Sequence, residues 1–167
     1  MKKQMQDALN QQVARELSAS YAYLAMSLYL DGRNFPGAAR WMEVQSEEER
    51  SHARMLIEYI TDRNCDVILE TIPQPTHVFE SVLSVFKSAL DHEQANTAAI
   101  HEMYALAKEI GDYATEAKLQ WFLSEQVEEE KTAMDLVAQW ERAGEEPSAM
   151  LILDQAMASE RTSSEMS

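Results

Sequence analysis

One histidine and a series of glutamates stand at helical spacing along this sequence. In the stretch VQSEEERSHARML, His52 follows Glu49 by three residues, and residues at that spacing share one face of a helix. On a solvent-exposed face they would form an ordinary charged surface. On a buried face the pair would be costly unless a cation or a counter-charge neutralised it. The direction of this face therefore decides whether the pair can do chemistry.

Four long segments each carry an acid on an otherwise largely apolar face, close to the middle of the segment. The acids are Glu16, Glu49, Glu93 and Glu129. Helices of about 28 residues are about 42 Å long, and side by side in a bundle their midpoints lie at one level. We therefore expect the four carboxylates and His52 to converge. The alternative is that these acids are solvated, and the first segment offers a competing apolar stripe through Leu17, Leu24 and Leu28.

This set of side chains predicts a metal site. No Lys or Arg lies on the four faces to neutralise the acids. Carboxylates with one imidazole and no thiolate favour a fairly hard first-row ion, and two ions bridged by a shared glutamate would use every ligand. Bundles with two metal ions take one Glu from each of two helices and Glu-x-x-His from each of the others. Here the single acids are Glu16 and Glu93, one motif is Glu49-x-x-His52, and Gln126-x-x-Glu129 replaces the second.

The elements that must position these residues are separated by glycines and prolines. Helices are predicted over Lys3–Leu30, Pro36–Arg63, Phe79–Ile110 and Asp112–Arg142, each rich in strong helix formers. Residues Asn64–His77 lack helical periodicity and form a long crossover between the second and third helices. The sequence therefore predicts an all-α four-helix bundle with one long crossover and a short fifth helix after Pro147. We expect one domain over residues 1–158 and a polar, disordered tail over 159–167.

Composition limits the possible partners. The chain has 167 residues, 46% of them hydrophobic, and a formal charge of −15, which repels nucleic acid and anionic membranes and gathers cations. Cys65 is the only cysteine, so neither an internal disulfide nor a CxxC metal site can form. No apolar run is long enough to span a bilayer, and the amino terminus lacks the apolar region of a signal peptide. We expect a cytoplasmic protein that binds neither nucleic acid nor membranes.

Beyond these patterns, the chain resembles the ferritins, most closely the non-haem bacterial type. The resemblance is carried by QVARELSASYAYLAMS, EEERSHARMLIEYI, LDHEQANT and LQWFLSEQVEEEK, and it extends over nearly the whole chain. It implies iron storage with ferroxidase activity, in which O2 or H2O2 oxidises Fe(II) at a di-iron centre. It also implies that the ferric mineral is held in a homo-oligomeric cage of 24 subunits.

The resemblance also assigns roles to residues. It implies that Glu16, Glu49 and His52 hold one iron, that Glu49 bridges, and that Glu93 and Glu129 hold the second iron beside Gln126. A third iron position is implied at Glu48, Glu125 and Glu128 together with Glu129, the alternative being a solvated acidic stretch. Tyr23 resembles the tyrosine near the iron centre of the family, or is a core tyrosine. Trp121 likewise resembles a residue near the iron centre of the family, or has only a packing role.

Related proteins of other types fit less well. A haem-containing bacterioferritin would have a second Glu-x-x-His on the fourth helix and a methionine after the bridging glutamate, where this chain has Arg50, so no haem is expected. A rubrerythrin-like peroxidase needs a cysteine-rich iron module. A DNA-protecting mini-ferritin often has a basic tail and a helix in the central connection. A helical interaction module without metal would leave the inward acids unexplained.

Overall fold

The fold is built from five helices in a computed structural model that describes the backbone of residues 1–164 and the side chains of residues 1–159. The helices are α1 (Lys3–Asp31), α2 (Pro36–Asp62), α3 (Val82–Ile110), α4 (Tyr113–Ala143) and α5 (Pro147–Ser164). The most extensive packing is between α1 and α2 and between α3 and α4, while α1 also packs on α3. Two helical hairpins are thus joined by the connection between α2 and α3. The predicted all-α bundle with a fifth helix is confirmed.

Local capping explains where the third helix begins. The predicted start at Phe79 is wrong by three residues, because Ser81 is the N-cap and α3 begins at Val82. The Ser81 hydroxyl accepts from the Ser84 backbone N–H at 3.1 Å, and the Ser84 hydroxyl accepts from the Ser81 N–H at 3.0 Å. This capping box satisfies two backbone donors at once. At the other end, Gly111 has φ +69°, the left-handed conformation that ends many helices.

The crossover is held against α1 by side chains. Asn10 accepts from the Ile68 backbone N–H at 2.8 Å and donates to the Asp66 carbonyl at 3.2 Å. Near the other end, the Tyr29 hydroxyl donates to the Phe79 carbonyl at 2.7 Å. At these three points the backbone of the long connection finds partners without forming helix or strand.

Two apolar clusters lie on either side of a polar layer at the middle of the bundle. One contains Met42, Phe86 and Trp140, and the other contains Leu9, Leu56, Ile100 and Leu119. On every long helix the mid-helix acid falls between residues of the two clusters: Glu16 between Val13 and Tyr23, Glu49 between Met42 and Leu56, Glu93 between Ala89 and Ile100, Glu129 between Phe122 and Leu136. The common level predicted for the four acids follows from this arrangement.

Helix α5 is seated across the first turn of α2. A Cβ atom on Gly37 would lie 1.8 Å from the Asp154 carbonyl oxygen, so the close approach requires glycine. The buried Asp154 carboxylate accepts from the Ala38 backbone N–H at 2.8 Å, which caps α2.

The far end of α5 runs into the segment predicted to be a polar tail. The helix continues to Ser164, into the segment 159–167 expected to be a tail, and residues 165–167 lie outside the described part of the chain. Across the described residues, no helix has both the length and the apolar character needed to cross a bilayer.

Candidate metal centre

The face shared by Glu49 and His52 points into the bundle. Glu49 has no exposed surface and His52 is 6% exposed. Glu16 reaches the same place from α1, and one ligand atom from each of the three residues lies within 4.8 Å of the others. The distance from His52 Nδ1 to Glu49 Oε2 is 3.6 Å. Two carboxylates and one imidazole are thus already assembled at the spacing that a single metal ion needs.

Two further acids lie next to this trio. Glu93 is buried and accepts from the Tyr23 hydroxyl and, at 3.3 Å, from Gln126 Nε2. Glu129 is half-buried and accepts from Gln45 Nε2 at 3.0 Å. Neither acid belongs to the compact trio, although their charges act on Glu49. The structure thus places all five predicted ligands in one layer, with three of them in a tight group.

The Glu49 carboxylate is the feature of this layer that the protein alone leaves unsatisfied. Both of its oxygens are buried, and no N–H or hydroxyl group of the described residues donates to either. Its polar neighbour is the Glu16 carboxyl, which can pair with it only while the two acids share a proton. Burying a polar group without a partner costs roughly 2 kcal/mol or more, and an ionised carboxylate costs more still. A buried carboxyl group without such a donor, at the centre of an acidic group, fits a cation.

The electrostatics of the metal-free layer are those of crowded, desolvated acids. Burial, followed by the charge of Glu49, raises the pKa of Glu16 well above its ordinary value. Burial, with the charges of Glu93 and Glu129, raises the pKa of Glu49 to about 8, although a hydrogen bond with Glu16 acts in the opposite direction. Burial and the charge of Glu93 raise the pKa of Glu129 to about 7. Near neutral pH the metal-free layer therefore retains protons that a bound cation would displace.

Tyr23 is a hydrogen-bond donor in this layer as well as a core residue. Its ring is buried and packs at an angle against Trp41, with 6.5 Å between centroids. Burial, followed by the charge of Glu93, raises the pKa of its hydroxyl well above the ordinary value. The hydroxyl therefore keeps its proton and donates it to Glu93 in a short hydrogen bond.

A shell of amides holds the acids of α1 and α3. Gln12 Nε2 donates to Glu16 Oε1 at 2.7 Å and to Asn96 Oδ1 at 2.5 Å. Asn96 Nδ2 donates to Glu16 Oε2 at 3.3 Å and to Gln126 Oε1 at 3.4 Å. Gln12 and Asn96 were not predicted from the sequence. Their signal was an amide one helical turn from a mid-helix acid, Gln12 before Glu16 and Asn96 after Glu93.

The acids of the predicted third position lie beside Glu129 but do not form a compact group. Glu48 and Glu125 are half-buried, and their charges contribute to the raised pKa of Glu129 after burial and the charge of Glu93. Glu128 is exposed. In the described part of the chain, the trio on α1 and α2 is the only group of three or more such ligands within 4.8 Å.

Aromatic rings border the trio. The Trp121 ring meets the His52 imidazole edge-on at 5.4 Å between centroids, and Phe122 does so at 6.1 Å. Trp121 is still 40% exposed, so it has both a packing role and a place beside the centre. The other three histidines, His77, His92 and His101, are exposed, as the absence of neighbouring ligands in the sequence indicated.

Comparison with known proteins identifies molecules with the same architecture. A family model described as a ferritin-like domain matches residues 6–143. A bacterial non-heme ferritin of Staphylococcus epidermidis is 36% identical over 158 residues, covering 95% of both chains, and that of Staphylococcus haemolyticus is 35% identical with the same coverage. Among solved structures, an open pore ferritin from the archaeon Archaeoglobus fulgidus is 35% identical and superposes with a TM-score of 0.93, covering 95% of this chain and 98% of that one.

Proposed function

Because this chain belongs to the ferritin family, we propose that it stores iron, oxidising Fe(II) inside its helical bundle and keeping Fe(III) as a mineral within an oligomeric shell. The observation that carries the proposal is the Glu49 carboxylate. It is fully buried, receives no N–H or hydroxyl donor from the described residues on either oxygen, and lies beside Glu16 and His52. A divalent cation supplies what this arrangement lacks, whereas a purely structural bundle would gain from an apolar residue there.

The proposed ligands follow the geometry of the layer. Glu16, Glu49 and His52 hold one Fe(II), and Glu49 bridges to a second Fe(II) that Glu93 and Glu129 complete. The two oxygens of Glu49, which receive no N–H or hydroxyl donor from the described residues, support its bridging role. Gln126 donates to Glu93 and so orients a ligand of the second ion.

The iron supplies the redox chemistry in this proposal: two Fe(II) lose two electrons, which reduce O2 with two protons to H2O2, or H2O2 with two protons to water. The residues of the chain bind, orient and exclude water. Glu49 and Glu129 release their protons as the ions bind, because the positive charge reverses the effect of burial. Tyr23 keeps Glu93 in place, and the rings of Trp121 and Phe122 shield His52 from water.

The third position is proposed as a transit site rather than a fixed one. Glu48 and Glu125 lie close enough to Glu129 to raise its pKa, although the greater part of that shift comes from burial and Glu93. The exposed Glu128 lies one residue before Glu129 on the same helix. These acids can attract a cation to the edge of the layer without the closed ligand set that would retain it.

Assembly into a homo-oligomer is supported by apolar side chains on the surface of the single chain. Exposed large hydrophobic residues occur on α1, on the crossover, on α4 and on α5: Tyr21, Leu24, Leu28, Ile68, Leu69, Val78, Tyr113, Trp121, Val127, Met134, Leu151 and Ile152. Surfaces of this kind are common where subunits meet. We propose the 24-subunit cage of the family, in a cytoplasmic protein without haem.

Aerobic loading of the metal-free protein tests the proposed function. We expect about two Fe(II) per chain to be oxidised in a fast phase, followed by a soluble mineral that holds far more iron than the chain has sites. Native mass measured in parallel reports the assembly. Loading that stops at the site stoichiometry, or iron that precipitates as in buffer alone, would contradict storage.

A further inference from the structure

Asn96 is a buried polar residue of α3 whose side chain bridges two other helices. It is 9% exposed and lies three residues after Glu93, so both residues share one helix face. Its carboxamide contacts Gln12 and Glu16 on α1 and Gln126 on α4. A single side chain thus connects the acid of one proposed metal position to the amide that orients an acid of the other.

The donors and acceptors around Asn96 match only one orientation of its carboxamide. A carboxamide has two N–H donors on nitrogen and an acceptor oxygen. Both donors of Asn96 are used by Glu16 and Gln126, and its oxygen accepts from Gln12. If the amide turned over, its nitrogen would face the Gln12 donor and its oxygen would face Glu16, which is a carboxylate whenever it binds a metal ion. The orientation of Asn96 is therefore fixed by its neighbours.

The same geometry fixes the two groups on which Asn96 acts. Glu16 receives one amide donor on each oxygen, from Gln12 on Oε1 and from Asn96 on Oε2. Each carboxylate oxygen has a further lone pair, which remains available to a metal ion. On the other side, Gln126 accepts from Asn96 with its oxygen, so its nitrogen must face Glu93, which it does at 3.3 Å.

A comparison with Asn10 shows that burial alone does not explain these contacts. Asn10 is buried more deeply, at 2% exposed, and its partners are all backbone groups: the Gln6 carbonyl in its own helix and, in the crossover, Asp66 and Ile68. The partners of Asn96 are all side chains of the polar layer. An apolar residue of similar size at position 96 would avoid the cost of desolvating a carboxamide. The asparagine therefore contributes to the polar layer rather than to the packing of the helices.

We propose that Asn96 is a positioning residue that orients Glu16 and Gln126 together and thereby strengthens metal binding at both positions of the centre. This inference rests on the proposed function, since it presumes the two metal positions. According to this proposal, Asn96 affects two metal-binding steps. A ligand of one ion would affect one step, and a residue important only for packing would affect neither step specifically.

The test is an anaerobic titration of the metal-free protein with Co(II), followed by the visible absorbance of the bound ion. In Asn96→Leu we expect both binding steps to weaken by about 10- to 100-fold, the usual effect of losing a partner that orients a metal ligand. Thr97→Val is the one-sided comparison, because among the described residues the hydroxyl of Thr97 accepts from Gln126 alone. It is expected to weaken one step and by less.

Two further variants separate positioning from stability. Asn10→Ala removes a buried asparagine outside the layer, so it is expected to lower the thermal unfolding temperature and leave both Co(II) affinities unchanged. Asn96→Ala repeats the loss of the donor in a smaller side chain, in case leucine does not fit. Parent-like Co(II) binding in both Asn96 variants, or weakening of one step alone, would overturn the inference. A parent protein without two-step binding would overturn the proposed centre itself.

Discussion

The acids of α1 and α3 and the acids of α2 and α4 meet in the same layer but differ in how the protein holds them. Glu16 and Glu93 each accept hydrogen bonds from two different side chains. Glu49 accepts from none, and Glu129 accepts from Gln45. The acids of α1 and α3 are thus oriented by two donors each, whereas those of α2 and α4 have one donor or none. The difference indicates that the protein itself supplies hydrogen-bond partners for the acids of α1 and α3, and that the acids of α2 and α4 are left to the cation.

The largest expected effect on iron oxidation comes from replacing Glu49. In Glu49→Gln we expect the fast oxidation phase to fall by at least about 100-fold, because a bridging ligand and the geometry of both ions are lost together. Stopped-flow absorbance after mixing with Fe(II) and O2 measures the phase. Glu47→Gln is the matched control, since it makes the same change on the exposed face of α2. A Glu49→Gln variant with the parent's fast phase would place the chemistry elsewhere.

The second prediction concerns the pH dependence of stability in the metal-free protein. The folded pKa of Glu49, about 8, exceeds its ordinary value of 4.5, so the folded state binds the proton more tightly. The resulting stabilisation is complete below pH 4.5 and is lost as the pH rises towards 8, by an amount on the order of a few kcal/mol. Chemical unfolding at a series of pH values in this range measures it.

The same variant and a divalent metal sharpen that measurement. Metal-free Glu49→Gln is expected to be at least as stable as the parent near pH 7 and to show a shallower loss of stability with pH. Added divalent metal should stabilise the parent far more than the variant. Equal pH profiles for the two proteins would mean that Glu49 does not hold the proton in the folded state.

A smaller effect on the fast phase is expected from a change next to Glu93, one of the two acids that side-chain donors orient. Tyr23→Phe removes one donor from Glu93 and leaves the ring packing intact, so we expect the fast phase to slow by about 10-fold rather than disappear. Tyr29→Phe is the control, because that hydroxyl donates to the backbone of the crossover instead. If both variants slow oxidation equally, the hydrogen bond to Glu93 has no special role.

The smallest effect on the fast phase is expected at the acidic edge. Glu125→Ala removes a half-buried charge near Glu129 but no ligand of the two proposed positions. The fast phase should stay close to that of the parent, while the later phases and the iron bound per chain should change. Stopped-flow traces combined with iron analysis measure both quantities. Traces and iron contents equal to those of the parent would remove the third position from the proposal.

The fold was largely predictable because its signals are local and repeated. Gly32, Gly111 and Gly144 mark helix ends, and the inner stripes repeat every three or four residues over four long segments. The start of α3 was misplaced because Phe79 continues the apolar spacing, and the two-serine capping box that ends the crossover has no apolar signal. Periodicity finds the face of a helix more reliably than its first residue.

The site was predictable to the extent that its members are unusual on an inner stripe. Each mid-helix acid interrupts an apolar row, and four interruptions at one level are hard to explain without a cation. Gln12 and Asn96 carry no charge, so neither stood out, and only the packed helices show that they bridge α1, α3 and α4. Partners of this kind depend on distances between helices, which sequence spacing within one helix does not encode.

The seat of α5 makes subunit assembly separable from iron chemistry. Gly37 and Asp154 touch at the end of the bundle, within the first turn of α2, whereas the acids lie at its middle. Because α5 carries the exposed Leu151 and Ile152, this contact sets where two apolar side chains lie on the surface that the proposed oligomer would bury. Gly37→Ala adds a single methyl group at this contact and is therefore expected to change the quaternary structure. The native mass would change, while Co(II) binding by each chain would persist. Cage architecture and the metal centre could in this way diverge independently within one bundle.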